Sequence, residues 1–291
     1  MLPKTWFICL ALILTACQGD ALFHFNPTPT PFPEKYSGEI QAGSFKLTMS
    51  CEGTGEPTII LENGLDYESW GSDSLHWFKS ITRTCRYLRA GMNGEMIAGP
   101  RTTMDQVKDL HSLLTQSGVP GPYILVGHSI AGYNLVLYTD QYPKEVAGLV
   151  CADCRYSAFY QIYMKKLGSI GGNNKDVIDE QNLSTQLLDN WTQYKEQLDI
   201  RASDQQVLKV TSLGDRPFIA LVGGATGNQF GDLVIRKVFN EAWLEASQQM
   251  SELSTRGKVE LVPDANHSSI LYNQRVYTAI REVFTAVVAG K

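Results

Sequence analysis

The chain has no basic stripe. Its net charge is −5 and its charged residues are mixed rather than clustered, so it offers no track for phosphates and nucleic acid is excluded as a partner. The N-terminal apolar run, Trp6 to Leu14, is too short to span a bilayer. The cysteines lack the two C-x-x-C pairs of a zinc site. The glycine-rich stretch Gly223 to Asn228, GGATGN, lacks the lysine and the full glycine spacing of a phosphate cradle. No internal repeat occurs, and histidine is scarce, with five in 291 residues. What remains is a chain with 43% hydrophobic residues, enough to bury a substantial core.

The start reads as a targeting segment. Lys4 precedes the apolar run, which ends in Leu14-Thr15-Ala16-Cys17. That ending resembles the bacterial lipobox, which implies a lipoprotein-type signal over residues 1–17 with Cys17 as the lipidation site. A plain secretory signal or a short membrane anchor is the alternative. Gln18 rather than aspartate follows, so nothing flags inner-membrane retention. Residues 18–35 read as a spacer, made extended by the alternating prolines of NPTPTPFP (Asn26 to Pro33). The expected location is the bacterial cell envelope, outside the cytoplasm, with the membrane touched only through the lipid. Disulfides persist in such a compartment. Of the four cysteines beyond the leader, Cys51 ends one expected strand and Cys85 opens another, which suits a Cys51–Cys85 staple. Cys151 and Cys154 are close enough in sequence to pair, although strand geometry opposes it.

From residue 36 onward strands alternate with helices. Expected strands are Ser44 to Ser50 (an edge strand), Thr58 to Leu61, Arg86 to Leu88, Tyr123 to Val126, Val146 to Cys151, Phe218 to Val222 and Val259 to Val262. Expected helices are Ser74 to Ile81, Thr103 to Gln116 with Thr103 and Gln106 as a capping box, Ile130 to Gln141, Asn240 to Ser254, and Arg275 to Val288. Between about residues 156 and 213 no strand-like run occurs. Amphipathic pieces at Tyr160–Lys166, Gln186–Leu198 and Ser203–Val210 read as a helical lid. The alternation predicts an α/β fold: a mostly parallel central sheet with helices on both faces, from 36 to 291.

The chemistry concentrates in Tyr123 to Gly132, YILVGHSIAG. A buried strand, a very tight turn and a helix lift Ser129 out of the sheet edge as a nucleophile elbow. The residues two before and two after the serine must be small, and Gly127 and Ala131 are. Such a serine needs a base and an acid to orient it. His24 lies in the spacer, His76 and His111 sit in helices, and His128 adjoins the serine with its side chain expected to point away from the active centre. His267, just after the last strand, is left as the base. The acid is Asp153, two residues beyond Cys151, or alternatively Asp232, ten residues past Val222 (232 − 222 = 10). Asp153 is favoured on loop reach. Backbone N–H groups of Leu65, after an early strand, and of Ile130 are the expected oxyanion donors.

The pieces PTIILENGL, CRYLRAG, PGPYILVGHSIAG, YPKEVAGLV and the terminal Asn266-His267 loop resemble the α/β-hydrolase superfamily, within it the secreted or lipoprotein serine hydrolases. The resemblance spans about residue 44 to the C-terminus except the lid. Three departures stand out. Asn63 replaces the usual histidine of the oxyanion loop, Leu88 the usual aspartate before Arg-Ala-Gly, and no aspartate closely follows the penultimate strand. The resemblance implies a carboxylic ester hydrolase of small-molecule substrates that needs no cofactor and no metal. Peptidase, thioesterase and acyltransferase chemistry would use the same groups. A non-catalytic binding protein on this fold is the rival reading, kept open by Asn63, Leu88 and the choice of acid.

Overall fold

The computed structural model describes residues 31–171 and 175–290. The leader, Cys17, His24 and the spacer up to residue 30 lie outside the described residues. Eight strands form one sheet. They are β1 (Lys35–Ala42), β2 (Phe45–Glu52), β3 (Thr58–Glu62), β4 (Thr84–Tyr87), β5 (Tyr123–His128), β6 (Val146–Ala152), β7 (Phe218–Gly223) and β8 (Gly257–Val262). Their order is β1-β2-β4-β3-β5-β6-β7-β8. The β1/β2 and β2/β4 pairs are antiparallel, and every later pair is parallel.

The helices are α1 (Ser72–Phe78), α2 (Thr103–Ser117), α3 (Ala131–Gln141), α4 (Phe159–Gly171), α5 (Lys175–Asp189), α6 (Ile200–Val207), α7 (Leu233–Ser251) and α8 (Gln274–Val288). Parallel neighbours require crossovers, and α3 between β5 and β6 is one. Strands β3, β5 and β7 are buried at every position, because helices cover both sheet faces. Side chains alternate between two cores. Tyr123 and Leu125 of β5 join the cluster under α2, α3 and α7, whereas Ile124 and Val126 join Phe78 of α1 and Ile280 of α8.

Several expected boundaries move. The edge strand is β1, and β2 lies inside it. Only Ala42 of KYSGEIQA is fully buried, so that segment carries little apolar alternation to read. Helix α2 is capped by Thr102, not Thr103: Asp105 Oδ2 accepts from the Thr102 N–H at 2.8 Å and from its Oγ at 2.9 Å. Helix α7 begins at Leu233, seven residues before Asn240 (240 − 233 = 7).

The insertion between β6 and β7 is helical in α4, α5 and α6, but α5 ends at Asp189. The expected helix Gln186–Leu198 is therefore interrupted. Beyond a single turn at Trp191–Gln193, the chain runs as a strap whose backbone groups are satisfied elsewhere. Arg101 N–H donates to Gln197 O at 2.8 Å and Asp199 N–H to Arg101 O at 2.8 Å. Gly91 is required beneath the strap, since a Cβ there would lie 2.5 Å from Lys195 O.

Both cysteine pairs are bonded. Cys51 and Cys85 are register partners across β2 and β4, with Cα atoms 4.0 Å apart. Cys151 and Cys154 also join, Cα to Cα 5.6 Å. The strand geometry that opposes this pairing ends at Ala152, and Asp153 then turns the chain with φ +53°. Disulfides of this kind fit an oxidising compartment. No helix among the described residues is long and apolar enough to cross a membrane.

Candidate active site

The parallel order brings the ends of β3, β5, β6, β7 and β8 to one sheet edge, where ligands meet such sheets. Ser129 follows β5 with φ +58°, a backbone region that non-glycine residues seldom occupy. The tightness of the turn explains its small residues. A Cβ on Gly127 would lie 2.8 Å from Leu135 Cδ1 and 3.1 Å from Ala131 Cβ, and one on Gly132 would lie 2.3 Å from Arg155 O.

Ser129 Oγ lies 2.9 Å from His267 Nε2, and His267 Nδ1 lies 2.7 Å from Asp153 Oδ2. A carboxylate only accepts, so Nδ1 carries the proton and Nε2 is free to receive one from the serine. Asp153 is fully buried, and four donors surround it: His267, the Gly223 N–H at 2.8 Å, Thr226 Oγ1 at 2.7 Å and Trp243 Nε1 at 2.9 Å. That set meets the carboxylate's acceptor capacity. The Trp243 ring also stands edge-on to His267, centroids 5.8 Å apart.

Asp232 does not join this group. Its Oδ1 caps α7, accepting from the Val234 and Ile235 N–H groups at 2.8 Å each. The glycine-rich loop beside it folds back rather than opening as a cradle. A Cβ on Gly223 would meet Thr226 Oγ1 at 2.6 Å, and one on Gly224 would meet Pro263 O at 2.7 Å. Thr226 of that loop, Gly223 and Trp243 escape the sequence reading. They hold the Asp153 carboxylate from a strand end, a loop turn and a helix, with no motif of their own.

His128 departs from expectation. Its ring does not point away; the centroid lies 4.5 Å from that of His267. Nε2–H donates to the His267 carbonyl at 2.7 Å, Nδ1 accepts from Ser69 Oγ at 2.8 Å, and Ser69 Oγ accepts the Gly64 N–H at 2.8 Å. Burial, with the neighbouring His267, pushes the His128 pKa down to about 4, so the ring is neutral at pH 7. One imidazole thus ties the loop carrying His267 to the loop carrying Leu65.

The loop after β3 is fixed from below by Arg89. Its guanidinium donates to the carbonyls of Asn63 at 2.8 Å and Gly64 at 2.6 Å, and to Glu196 of the strap at 2.6 and 2.9 Å. Glu196 in turn accepts the Asp66 N–H at 2.8 Å, while Asp66 accepts the Glu196 N–H at 3.0 Å. Glu62 completes the cluster 3.2 Å from Arg89, and burial raises its pKa. Burial works against the Arg89 charge, but Glu196 and Glu62 outweigh it and hold its pKa above the usual value. Asn63, at the place of the usual histidine, is structural: Nδ2 donates to Tyr87 O at 2.8 Å and Oδ1 accepts the Trp70 N–H at 3.1 Å. With the Asn63 and Gly64 carbonyls held by Arg89, the Leu65 N–H has no acceptor among the described residues, and neither does that of Ile130. No cluster of three or more His, Cys, Asp or Glu disposed to hold a metal occurs among them.

Comparison with known proteins places this architecture. No protein-family model matches the sequence. Probable transporter efuK of Hormonema carpetanum is 32% identical over 143 residues, 44% of this chain and 20% of that protein. The chain spans between 20% and 51% of the length of the curated relatives it matches. Among solved structures, alpha/beta hydrolase domain-containing protein 10 from mouse superposes with a TM-score of 0.57 at 15% identity, over 88% of this chain and 99% of that one. A thermophilic esterase from Thermogutta terrifontis superposes with a TM-score of 0.53 at 20% identity, again over 88% and 99%. The chain has the α/β-hydrolase fold.

Proposed function

We propose that the protein is a serine hydrolase that cleaves carboxylic esters of small molecules. The observation that carries this reading is the continuous hydrogen-bonded line from Ser129 through His267 to buried Asp153, beside two backbone donors with no acceptor among the described residues. In this reading His267 Nε2 takes the Ser129 proton as Oγ attacks the acyl carbonyl. The Leu65 and Ile130 N–H groups receive the charge that develops on the carbonyl oxygen. Asp153 holds the imidazole in the Nδ1–H form and stabilises its positive charge. The imidazolium then protonates the leaving alcohol, and a water deprotonated by His267 releases the acid. The helical insertion forms a lid over one side of the site. Export by way of the 1–17 leader and lipidation at Cys17 would place the enzyme at the cell envelope, where both disulfides persist.

Labelling with a fluorophosphonate probe, mapped by mass spectrometry, tests the reading. Stoichiometric modification of Ser129, lost in His267→Ala, supports it, and a panel of ester, thioester and amide substrates then ranks the leaving groups. Folded protein that takes up no label at Ser129 would leave a binding protein on this fold.

A further inference from the structure

A cavity of about 500 Å³ lies between the insertion and the sheet edge, walled by Phe159, Tyr163, Phe230 and Phe239, with Arg155 and Glu180 as its charged members. Its lining reaches the reactive line through one layer of contacts, at Ser129 and at His267. The Arg155 N–H donates to the Ser129 carbonyl at 2.7 Å. Phe159 and Phe239 pack on Trp243 at 4.8 and 5.5 Å between centroids, and Trp243 stands against His267.

Arg155 is under-used. Its Nε donates to Tyr133 Oη at 2.8 Å, which is its one side-chain hydrogen bond among the described residues. Nη2 is buried with no partner among the described residues. Among the described residues no carboxylate reaches ion-pair distance of it: Asp204 lies behind Tyr133, whose hydroxyl donates to it, and Glu180 Oε1 is taken by the hydroxyls of Tyr163 at 3.1 Å and Ser184 at 2.8 Å. The guanidinium is held over the Phe159 ring, 5.3 Å from its centroid. An oriented arginine with a free terminal edge is an incomplete site, because a buried donor without an acceptor is costly. The fork of two N–H groups that remains matches a carboxylate. The aromatic walls suit a carbon chain or ring between that carboxylate and the ester.

We propose that Arg155 selects substrates bearing a carboxylate separated by an apolar spacer from the scissile ester. This rests on the ester-hydrolase reading. The volume is within the range of small-molecule pockets.

Two measurements test it. The first compares kcat/KM for the mono-para-nitrophenyl ester of adipic acid with that for para-nitrophenyl hexanoate. The wild type should prefer the acidic ester by about tenfold or more, expressed in KM. Arg155→Met should abolish that ratio, and Arg155→Lys, which keeps the charge but not the fork, should fall between. Equal ratios in wild type and Arg155→Met, or a wild-type preference for the neutral ester, overturn the proposal. The second needs no turnover: binding of glutarate, adipate and suberate to Ser129→Ala by calorimetry. Binding by at least one diacid, lost in Ser129→Ala/Arg155→Met with unchanged melting temperature, supports the assignment even if the ester-hydrolase reading fails. Binding by none of the three, or binding that survives the loss of Arg155, overturns it.

Discussion

Glu196→Ala tests whether the strap and the loop carrying Leu65 form one unit. The Glu196 carboxylate is fully buried and accepts four hydrogen bonds, two from Arg89, one from the Asp66 N–H and one from Gln106 Nε2 at 2.8 Å. Truncation leaves Arg89 buried with Glu62 alone as counter-charge, 3.2 Å away, and strands three donor groups. Removing one partner of a buried ion pair costs about 3–5 kcal/mol, chiefly through the charge left behind. At about 2–4 °C per kcal/mol for a chain approaching this size, the melting temperature should fall by about 6–20 °C. Turnover measured well below the new transition should fall too, because the Asn63 and Gly64 carbonyls lose the fixed guanidinium that orients the Leu65 N–H. Glu196→Gln keeps one acceptor and should recover part of the loss. Differential scanning fluorimetry and an ester assay on the same preparations read both effects. A melting shift below about 3 °C with unchanged kcat would refute the claim that the strap is tied to the loop through this carboxylate.

Three further outcomes are expected. Asp153→Asn should lower kcat by about 10⁴-fold through the wrong imidazole tautomer, whereas Asp232→Ala should cost about 1 kcal/mol as a lost helix cap and keep the activity; the reverse pattern in a kinetic comparison would transfer the acid role. His128 has a folded-state pKa near 4 against about 6.5 unfolded, so between those values the unfolded chain binds the extra proton. Its contribution is complete above pH 6.5 and is lost as pH falls toward 4, by up to about 3 kcal/mol; denaturant unfolding of His128→Gln should show a flatter profile in that window. On chain entropy, removing Cys51–Cys85, separation 34, should cost about 4 kcal/mol, and removing Cys151–Cys154, separation 3, about 2 kcal/mol. The second pair brackets Asp153, so its double alanine variant should lose more kcat than the first, a ranking that paired melting and kinetic data would check.

The sheet, the serine turn and His267 were legible because each has a local signature: buried β-branched runs, small residues around Ser129, and a polar loop after the last strand. Choosing between Asp153 and Asp232 depended on loop reach, and the geometry separates them, one beside His267 and one capping a helix. The partners of Asp153 were not legible, since Trp243 sits on α7, 90 residues away in sequence. The amphipathic pattern of Gln186 to Leu198 reads as helix, yet the strap's carbonyls and amides are claimed by Arg101 and Asp66. His128 departs from its expected orientation for a related reason. Strand alternation gives the side of the sheet on which a side chain lies, but not that the His267 loop folds over to receive it.

Placing the acid directly after β6 puts two of the three proposed catalytic groups on one contiguous segment. Ser129 and Asp153 are 24 residues apart (153 − 129 = 24), joined by the single β5–α3–β6 unit and its own disulfide. A segment of this kind can be inherited or transplanted whole, carrying nucleophile, acid and their relative spacing together. A recipient scaffold must then supply the histidine loop, the Leu65 donor and the partners of Asp153, and the β7 loop, which carries no catalytic group in this reading, is free to drift in length as long as Gly223 and Thr226 still reach Asp153.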